Sequence, residues 1–409
     1  MREKRTGNTS RSGHVKNSPL KNFFFTFAGA IFACVSLLVL LWMTVSVHPG
    51  AEIASTQSSA RLRTNIASQI DQYSENVKVS VLGETKAVTS RYQIAESATA
   101  APEPDATRFG ETLDPEVLQD VIRQAREDGL LSEDEAVVFS SDFENYRDTP
   151  MKYYYDETIL VLCWKEKIDG RVCSCAEVKI ADASQLRRKL TEDTYGSSVR
   201  SFATELADEV NAVVAMNADL YAQRDLGITV YNRMVYRFNE WPYTGQYSQY
   251  NAIDNLLVDA SGNFHFLHKG EEYSREEMQQ YVDDNDFLFS IAFGPILVED
   301  GELQSCDWYP CGEINDEYSR AGIAQVGQLH YLYLAVSHSP SGTPRCNISQ
   351  FASIMYSKGV QQAYTLDGGQ TGELVFNGEP YNQIDFGAER TVSDIIYFAS
   401  ALDSTGGKK

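Results

Sequence analysis

Cations are scarce in this sequence. Lys and Arg number 35 against 57 Asp and Glu, for a formal net charge of −22. So acidic a surface repels phosphate backbones, which argues against nucleic acid as a partner and disfavours docking on anionic lipid. An anionic substrate stays open, because a few Arg residues inside a cleft reverse the local potential. The usual chemical fingerprints are also missing: no Ser-centred nucleophile elbow, no phosphate-binding P-loop and no dinucleotide glycine pattern. The acidic run Asp283-Asp284-Asn285-Asp286 lacks the glycine and terminal Glu of a calcium loop and reads as a solvated turn. His265 and His268 lie in a β-like run, not on a helix face, and read as surface residues. No metal and no cofactor is expected, and no internal repeat is visible.

Cysteine is sparse, at seven. Cys34 lies in an apolar run, leaving Cys163, Cys173, Cys175, Cys306, Cys311 and Cys346. An even number in an oxidising compartment allows disulfides, and six cysteines allow 15 pairings. Cys306/Cys311 is the local candidate. Cys173-Ser174-Cys175 has the wrong spacing for a zinc knuckle.

The run Phe23–Val47 contains no charged residue. As a helix it spans roughly 37 Å, enough to cross a ~30 Å hydrocarbon core with some tilt. Before it stand Arg2, Lys4, Arg5, Arg11, Lys16 and Lys21 against Glu3, six basic residues minus one acidic. Positive flanks stay in the cytoplasm, so the expected orientation is N-terminus in, C-terminal domain out. The alternative is a long cleaved signal ending near Pro49, Gly50 or Ala51. Either way the bulk of the chain leaves the cytoplasm, carrying about −27 (−22 less +5).

Composition divides the chain into a basic cytoplasmic segment (1–21), a transmembrane helix (22–48), a polar stalk (49–108) and a short helical spacer (109–145). The main domain follows (146–405). The stalk is expected to be partly helical near Ala60–Tyr73, with Ala100-Ala101-Pro102-Glu103-Pro104 marking a linker. In the spacer, Asp114-Pro115 opens a helix whose Val117, Leu118, Val121, Ile122 and Ala125 share a face, and Gly129 stops it. The spacer either packs on the main domain or sets it off from the membrane. β-rich runs follow at Thr158–Trp164, Glu177–Ile180, Ala212–Met216, Phe287–Phe293, Tyr331–Val336 and Ala363–Leu366. Helical patterns appear at Ser198–Glu209 and Asn347–Lys358. Many strands and few helices imply an α+β fold around a mixed sheet.

The most informative segment is Ala363-Tyr364-Thr365-Leu366-Asp367-Gly368-Gly369-Gln370-Thr371. An apolar strand ends in Asp, and two glycines then let backbone or substrate approach closely. That is a place for a working carboxylate, or for a strand-to-turn junction whose Asp satisfies backbone amides. Other pieces sit at comparable junctions: Met216-Asn217-Ala218, Phe293-Gly294-Pro295 running to Gly301, Ser319-Arg320-Ala321-Gly322-Ile323 and Glu389-Arg390-Thr391-Val392.

In this order the pieces resemble the phosphodiester glycosidase family over roughly Tyr154 to Leu402. Asn217 with Tyr221 stands for that family's Asn-Gly-Gly-aromatic strand end, and Gly294, Pro295, Leu297 and Gly301 fit its Gly-Pro turn. Arg320 matches its Arg, Asp367-Gly368-Gly369 its Asp-Gly-Gly, and Glu389-Arg390-Thr391-Val392 its Glu-Arg-x-Val. Departures are Ala218 and Asp219 for paired glycines, and Gln370 and Thr371 for Gly and Ser. These suit a different sugar, or a module that binds without cleaving.

The resemblance implies hydrolysis of a glycosyl-1-phosphodiester in envelope or exopolysaccharide glycans, outside the cytoplasm. Asp367 would serve as base or nucleophile and Arg320 as phosphate fork, with Arg390 second. Asn217 would orient sugar hydroxyls or the attacking water. Gly294, Gly368, Gly369 and Thr371 would line the substrate site. Glu373 is either a partner carboxylate or an exposed hairpin residue. The expected partners are a carbohydrate or sugar-phosphate polymer and, through one helix, the membrane. A glycan-binding module without turnover and an envelope glycosyl-phosphate transferase are the alternatives.

Overall fold

A computed structural model describes residues 92–219, 227–238, 253–271, 273–306, 309, 315–337 and 342–402. The chain divides into two units, Met1–Val88 and Thr89–Lys409. The first lies outside the described residues, and with it the run Phe23–Val47, the basic flank, Cys34 and the expected helix near Ala60. Among the described residues no helix is long and apolar enough to cross a membrane.

The second unit is built on a nine-stranded sheet. Its strands are β1 (Phe109–Thr112), β2 (Met151–Asp156), β3 (Ile159–Ile168), β4 (Arg171–Ile180), β12 (Ile296–Glu299), β13 (Glu302–Leu303), β14 (Arg320–Gly327), β15 (His330–Val336) and β16 (Gln362–Leu366), in the order β1-β2-β3-β4-β15-β14-β16-β12-β13. A five-stranded sheet has the order β18-β17-β6-β19-β5, with β5 (Leu186–Leu190), β6 (Val214–Asn217), β17 (Leu374–Phe376), β18 (Glu379–Pro380) and β19 (Asp394–Phe398). A second has the order β10-β9-β11-β7-β8, with β7 (Thr229–Tyr231), β8 (Met234–Arg237), β9 (Asn255–Asp259), β10 (Phe264–Leu267) and β11 (Phe287–Ile291). The α+β, sheet-rich core with few helices is as expected. Strand direction is antiparallel in every ladder among the described residues, where a mixed sheet was expected.

Hairpin chemistry explains much of this. Asp169-Gly170, Asp300-Gly301 and Asn377-Gly378 all have positive φ and join β3 to β4, β12 to β13 and β17 to β18. Paired left-handed residues give the turn whose twist matches the strands it joins.

The nine-stranded sheet is buried on both faces. One carries Val161, Val178, Ile323, Tyr333 and Leu366, which pack with Met216, Phe376 and Phe398 of one five-stranded sheet and Val258 and Ile291 of the other. The opposite face carries Leu162, Trp164, Leu332 and Leu334, under α1 (Pro115–Glu127) and, later in the chain, Phe351 and Met355. Helix α1 starts where Asp114 caps it, and Leu118, Ile122 and Ala125 form its buried stripe. The 109–145 segment therefore packs on the domain, one of the two expected outcomes. Ile94 and Ala101, read as stalk, are buried with Leu206 and Val375.

Among the described residues the unit has three further α-helices. Helix α2 (Ala203–Glu209) is shorter than the expected Ser198–Glu209. Glu205 accepts the Phe202 backbone N–H, and Ser201 bridges to Val392, so the chain before Ala203 is extended and Val199 lies exposed. Helix α3 (Arg275–Asp284), not expected, starts with a Ser274/Glu277 capping box. It absorbs the front of the acidic run read as a turn. Helix α4 (Ile348–Ser357) matches its expected span, with Asn347 and Gln350 forming the capping box. Cys163, Cys173, Cys175 and Cys346 are buried thiols without disulfides. Cys311 lies outside the described residues, and with it the expected Cys306/Cys311 bridge.

Candidate active site

Two sheets bring their strand ends together at the C-terminus of β16. Asp367 follows the last residue of β16, Asn217 is the last of β6, Arg320 the first of β14, and Glu373 immediately precedes β17. Ala321 and Leu366 form the last antiparallel pair of the β14–β16 ladder, and Arg320 and Asp367 are the residues next beyond it on the two strands. The three residues expected to work together are thus gathered at one junction.

Asn217 ties the junction across sheets. Its Nδ2 donates to the Asp367 backbone carbonyl at 2.5 Å, and its Oδ1 accepts the Glu373 backbone N–H at 3.1 Å and the Tyr333 hydroxyl at 3.3 Å. The side chain is 1% exposed. Both of its polar atoms are engaged by protein, which differs from the expectation that they face sugar hydroxyls.

The glycine turn is close-packed on one side only. A Cβ on Gly368 would lie 2.6 Å from the Ser319 carbonyl oxygen, whereas a Cβ on Gly369 would meet nothing within 4 Å. Gly369 has φ +62 and donates its N–H to the Ser319 carbonyl at 2.8 Å. Thr371, expected to line the substrate site, is buried and gives its hydroxyl to the Gly368 carbonyl at 2.6 Å. It closes the turn from within. Asp367, Gly368 and Gly369 remain half-buried and open to approach.

Glu373 is the largest departure from the hairpin alternative. It is fully buried, and neither carboxylate oxygen has a hydrogen bond of ordinary geometry. Burial pushes its pKa up to about 8, and the charge of Glu389 adds to the rise, together with a hydrogen bond to Glu389 that the protonated form makes. A buried carboxyl beside a second carboxylate is held neutral because two charges there cannot both be solvated. Glu389 is half-buried and accepts the Thr204 hydroxyl at 2.8 Å. Its pairing with Glu373 joins residues distant in the chain, and only the Glu-Arg-x-Val motif pointed toward it.

Arg320 is half-buried. Its guanidinium donates to the Asp316 carbonyl at 2.8 Å and the Cys346 carbonyl at 3.3 Å, and lies 5.4 Å from the centroid of the Tyr318 ring. Arg390 is exposed on the segment after Glu389. Gly294 has φ +71, and a Cβ there would overlap the Tyr309 hydroxyl, so its small size serves the packing of Tyr309. Asp385 and Arg345, not singled out from sequence, also shape the site. Ser319 Oγ donates to Asp385 at 2.7 Å, and Arg345 lies 3.8 Å from the same carboxylate. Both contacts are non-local and leave no local signal. Beneath β6, Arg188 is paired in the interior with Asp394 at 2.6 Å and Asp219 at 3.5 Å. The charge that Asp219 adds beside Asn217 is thus met by a buried cation. His265 and His268 lie against Asp259 and Glu299 at 2.8 and 2.9 Å, near the surface as expected. Among the described residues, no three His, Cys, Asp or Glu side chains gather as a metal-binding group.

Every motif of this junction falls inside one family match. Residues 210–399 match the model of the phosphodiester glycosidase family. The resemblance read from the sequence is thus shown for the stretch that runs from Asn217 to Glu389. An uncharacterized protein derived from the SPbeta prophage of Bacillus subtilis (strain 168), YomE, is 22% identical over 221 residues. That alignment covers 53% of this chain and 32% of the relative, so the chain spans about a third of that protein. Among solved structures, the zebrafish N-acetylglucosamine-1-phosphodiester alpha-N-acetylglucosaminidase catalytic domain, auto-inhibited by its pro-peptide, aligns at 14% identity and TM-score 0.44. It covers 68% of this chain and 93% of that one. A hypothetical protein from Synechocystis aligns at 15% identity and TM-score 0.43, over 61% of this chain and 63% of its own.

Proposed function

We propose that the phosphodiester glycosidase domain hydrolyses glycosyl-1-phosphodiester bonds in a glycan of the cell envelope or an exopolysaccharide. The observation that carries this reading is the junction at the ends of β6, β14 and β16, where the Asn217 side chain binds the backbones of both Asp367 and the buried Glu373 and Arg320 lies one residue beyond the Ala321–Leu366 pair. In this reading Asp367 acts as base for water or as nucleophile at the anomeric carbon. Arg320 pairs its planar fork with the phosphate oxygens. The phosphate leaves already charged, so the site needs electrostatic support for an oxocarbenium-like transition state more than a strong acid. Asn217 is a positioning residue: it fixes the Asp367 carbonyl and the Glu373 amide relative to each other.

The apolar run Phe23–Val47 and its basic flank support a second element of the proposal, a domain tethered outside the cytoplasm. Its test is protease digestion of intact cells expressing the chain. Loss of the C-terminal domain with retention of a membrane-bound N-terminal fragment is expected, and full protection of the domain overturns it.

The decisive assay for the activity uses the full chain in mild detergent with a panel of sugar-1-phosphate methyl diesters. Free sugar and methyl phosphate should appear together and disappear in Asp367→Asn. Binding without release makes the domain a glycan-binding module. Transfer of the glycosyl-phosphate to an added acceptor glycan makes it a transferase.

A further inference from the structure

Phe386 is 88% exposed, unusual for so large an apolar side chain, and has φ +64. A non-glycine residue in the left-handed region is strained and persists only where its surroundings hold it. The surroundings here are the candidate site. Asp385, just before Phe386, is buried and accepts the Ser319 hydroxyl at 2.7 Å. Ala388, two residues after it, accepts Gln370 Nε2 at 3.1 Å. Ser319 neighbours Arg320 and its carbonyl receives Gly369, while Gln370 belongs to the Asp-Gly-Gly turn. The strained loop is therefore pinned on both sides to the segments that carry Arg320 and Asp367.

A second exposed aromatic stands on the other side of the same hydrogen bond. Tyr318, 37% exposed, precedes Ser319 and has the Arg320 guanidinium over its ring. The Ser319–Asp385 bond thus joins two neighbours that each carry an exposed aromatic ring one residue away. Glycine at 386 would adopt the same backbone without strain and would hide no apolar surface from water. Burial alone does not explain a Phe there, and a partner that covers the ring does.

We propose that Phe386 and Tyr318 form an aromatic rim that packs against the apolar C–H face of a sugar ring and holds it beside Arg320. The occupant is a pyranose of the glycan chain. Aromatic rings are wide, rigid apolar surfaces with little entropy to lose on contact, and a sugar face bearing axial hydrogens lies flat on them. The surplus of carboxylates on this chain disfavours a phosphorylated protein or lipid surface as the occupant. The inference rests on the glycosidase reading for the identity of the ligand, but not for turnover.

The test measures binding and turnover separately in the full chain. Glu373→Gln serves as the background for calorimetric binding of methyl diesters of N-acetylglucosamine-, glucose- and galactose-1-phosphate. Phe386→Gly and Tyr318→Ala are each expected to weaken binding about five- to tenfold on the scale of an aromatic contact, and Phe386→Trp to restore it. In the parent background, the same variants raise KM by a similar factor and leave kcat within about twofold. Phe386→Gly also relieves the strained φ, so its melting temperature is expected to hold or rise, which separates lost contact from lost fold. Unchanged binding in Phe386→Gly and Tyr318→Ala overturns the proposal, as does a parent that binds none of the diesters. A parent that binds through these rings without turnover sinks the hydrolytic reading and leaves the rim standing. A parent that turns over with KM unmoved by either change does the reverse.

Discussion

The side-chain amide of Asn217 donates to the backbone carbonyl of Asp367 at 2.5 Å, joining the last residue of a strand in one sheet to the first residue past a strand in another. One side chain therefore sets the distance between the two layers at the point where the candidate catalytic groups meet. The same amide oxygen holds the Glu373 N–H, so the backbones carrying both acidic residues are referenced to a single group.

Asn217→Ala should lower both stability and activity. It leaves the Asp367 carbonyl and the Glu373 N–H without their partner in a buried setting, at a cost of about 2–3 kcal/mol. Asn217→Asp keeps an acceptor for Glu373 but turns a carboxylate oxygen toward the Asp367 carbonyl. We expect it to lose activity beyond what its stability loss explains. Urea midpoints measured alongside hydrolysis rates separate the two effects, and full activity in Asn217→Asp excludes the positioning role.

The two glycines after Asp367 should respond differently to alanine. At Gly368 the new Cβ meets the Ser319 carbonyl oxygen at 2.6 Å, a backbone atom that cannot swing aside. The turn must shift, and a loss of about 2–3 kcal/mol is expected. At Gly369 there is space, and only the left-handed φ of +62 resists, which is worth about 1 kcal/mol. Thermal melts of the two variants check the ranking; a Gly369→Ala loss equal to or larger than that of Gly368→Ala contradicts the packing argument.

The turn that carries Asp367 was legible because its causes are local: an apolar strand, a carboxylate and paired glycines in immediate succession. The same holds for the Asn347 cap of α4 and the Asp-Gly and Asn-Gly hairpins. Glu373 was not legible. It stands among polar and glycine residues, and it is buried at the start of β17, which pairs with β6 from far earlier in the chain. Its proximity to Glu389, like the Ser319–Asp385 and Arg188–Asp394 pairings, is non-local and has no periodicity to betray it. The start of α2 was misread because Val199 and Phe202 have helical spacing, while the chain there is drawn into a bridge with Val392. Helix α3 was passed over because its apolar stripe is thin. Only Met278 and Val282 are buried, although its Ser274/Glu277 cap was readable.

Arg320 tests the phosphate assignment. Arg320→Lys keeps the charge but loses the planar fork. On a sugar-1-phosphodiester we expect KM to rise about tenfold in Arg320→Lys and further in Arg320→Ala, consistent with one to two charge-assisted hydrogen bonds. Because the guanidinium also donates to the Asp316 and Cys346 carbonyls, stability must be followed in parallel. A neutral aryl glycoside of the same sugar provides the control. Equal losses on both substrates assign Arg320 to scaffolding and remove it from phosphate recognition.

Glu373 should leave two signatures in pH dependence. Its folded pKa, raised to about 8 by burial and then by Glu389, lies above the usual 4.5 of a free Glu. The native state therefore holds a proton that the unfolded chain releases between these values. Stability falls as pH rises through that window, is fully present below about 4.5 and is lost once Glu373 ionises near 8. The whole effect is on the order of 5 kcal/mol. Glu373→Gln, neutral at every pH, should flatten this slope and match or exceed the parent in stability above pH 8, where the parent must bury a charge. If the protonated carboxyl also supports turnover, the parent rate declines with an apparent pKa near 8, and that alkaline limb vanishes in Glu373→Gln along with most of the rate. Urea unfolding from pH 5 to 9 checks the first signature and a pH–rate profile the second. A stability slope identical in parent and variant shows that Glu373 is ionised in the folded state, and the protonated carboxyl is then no part of the site's chemistry.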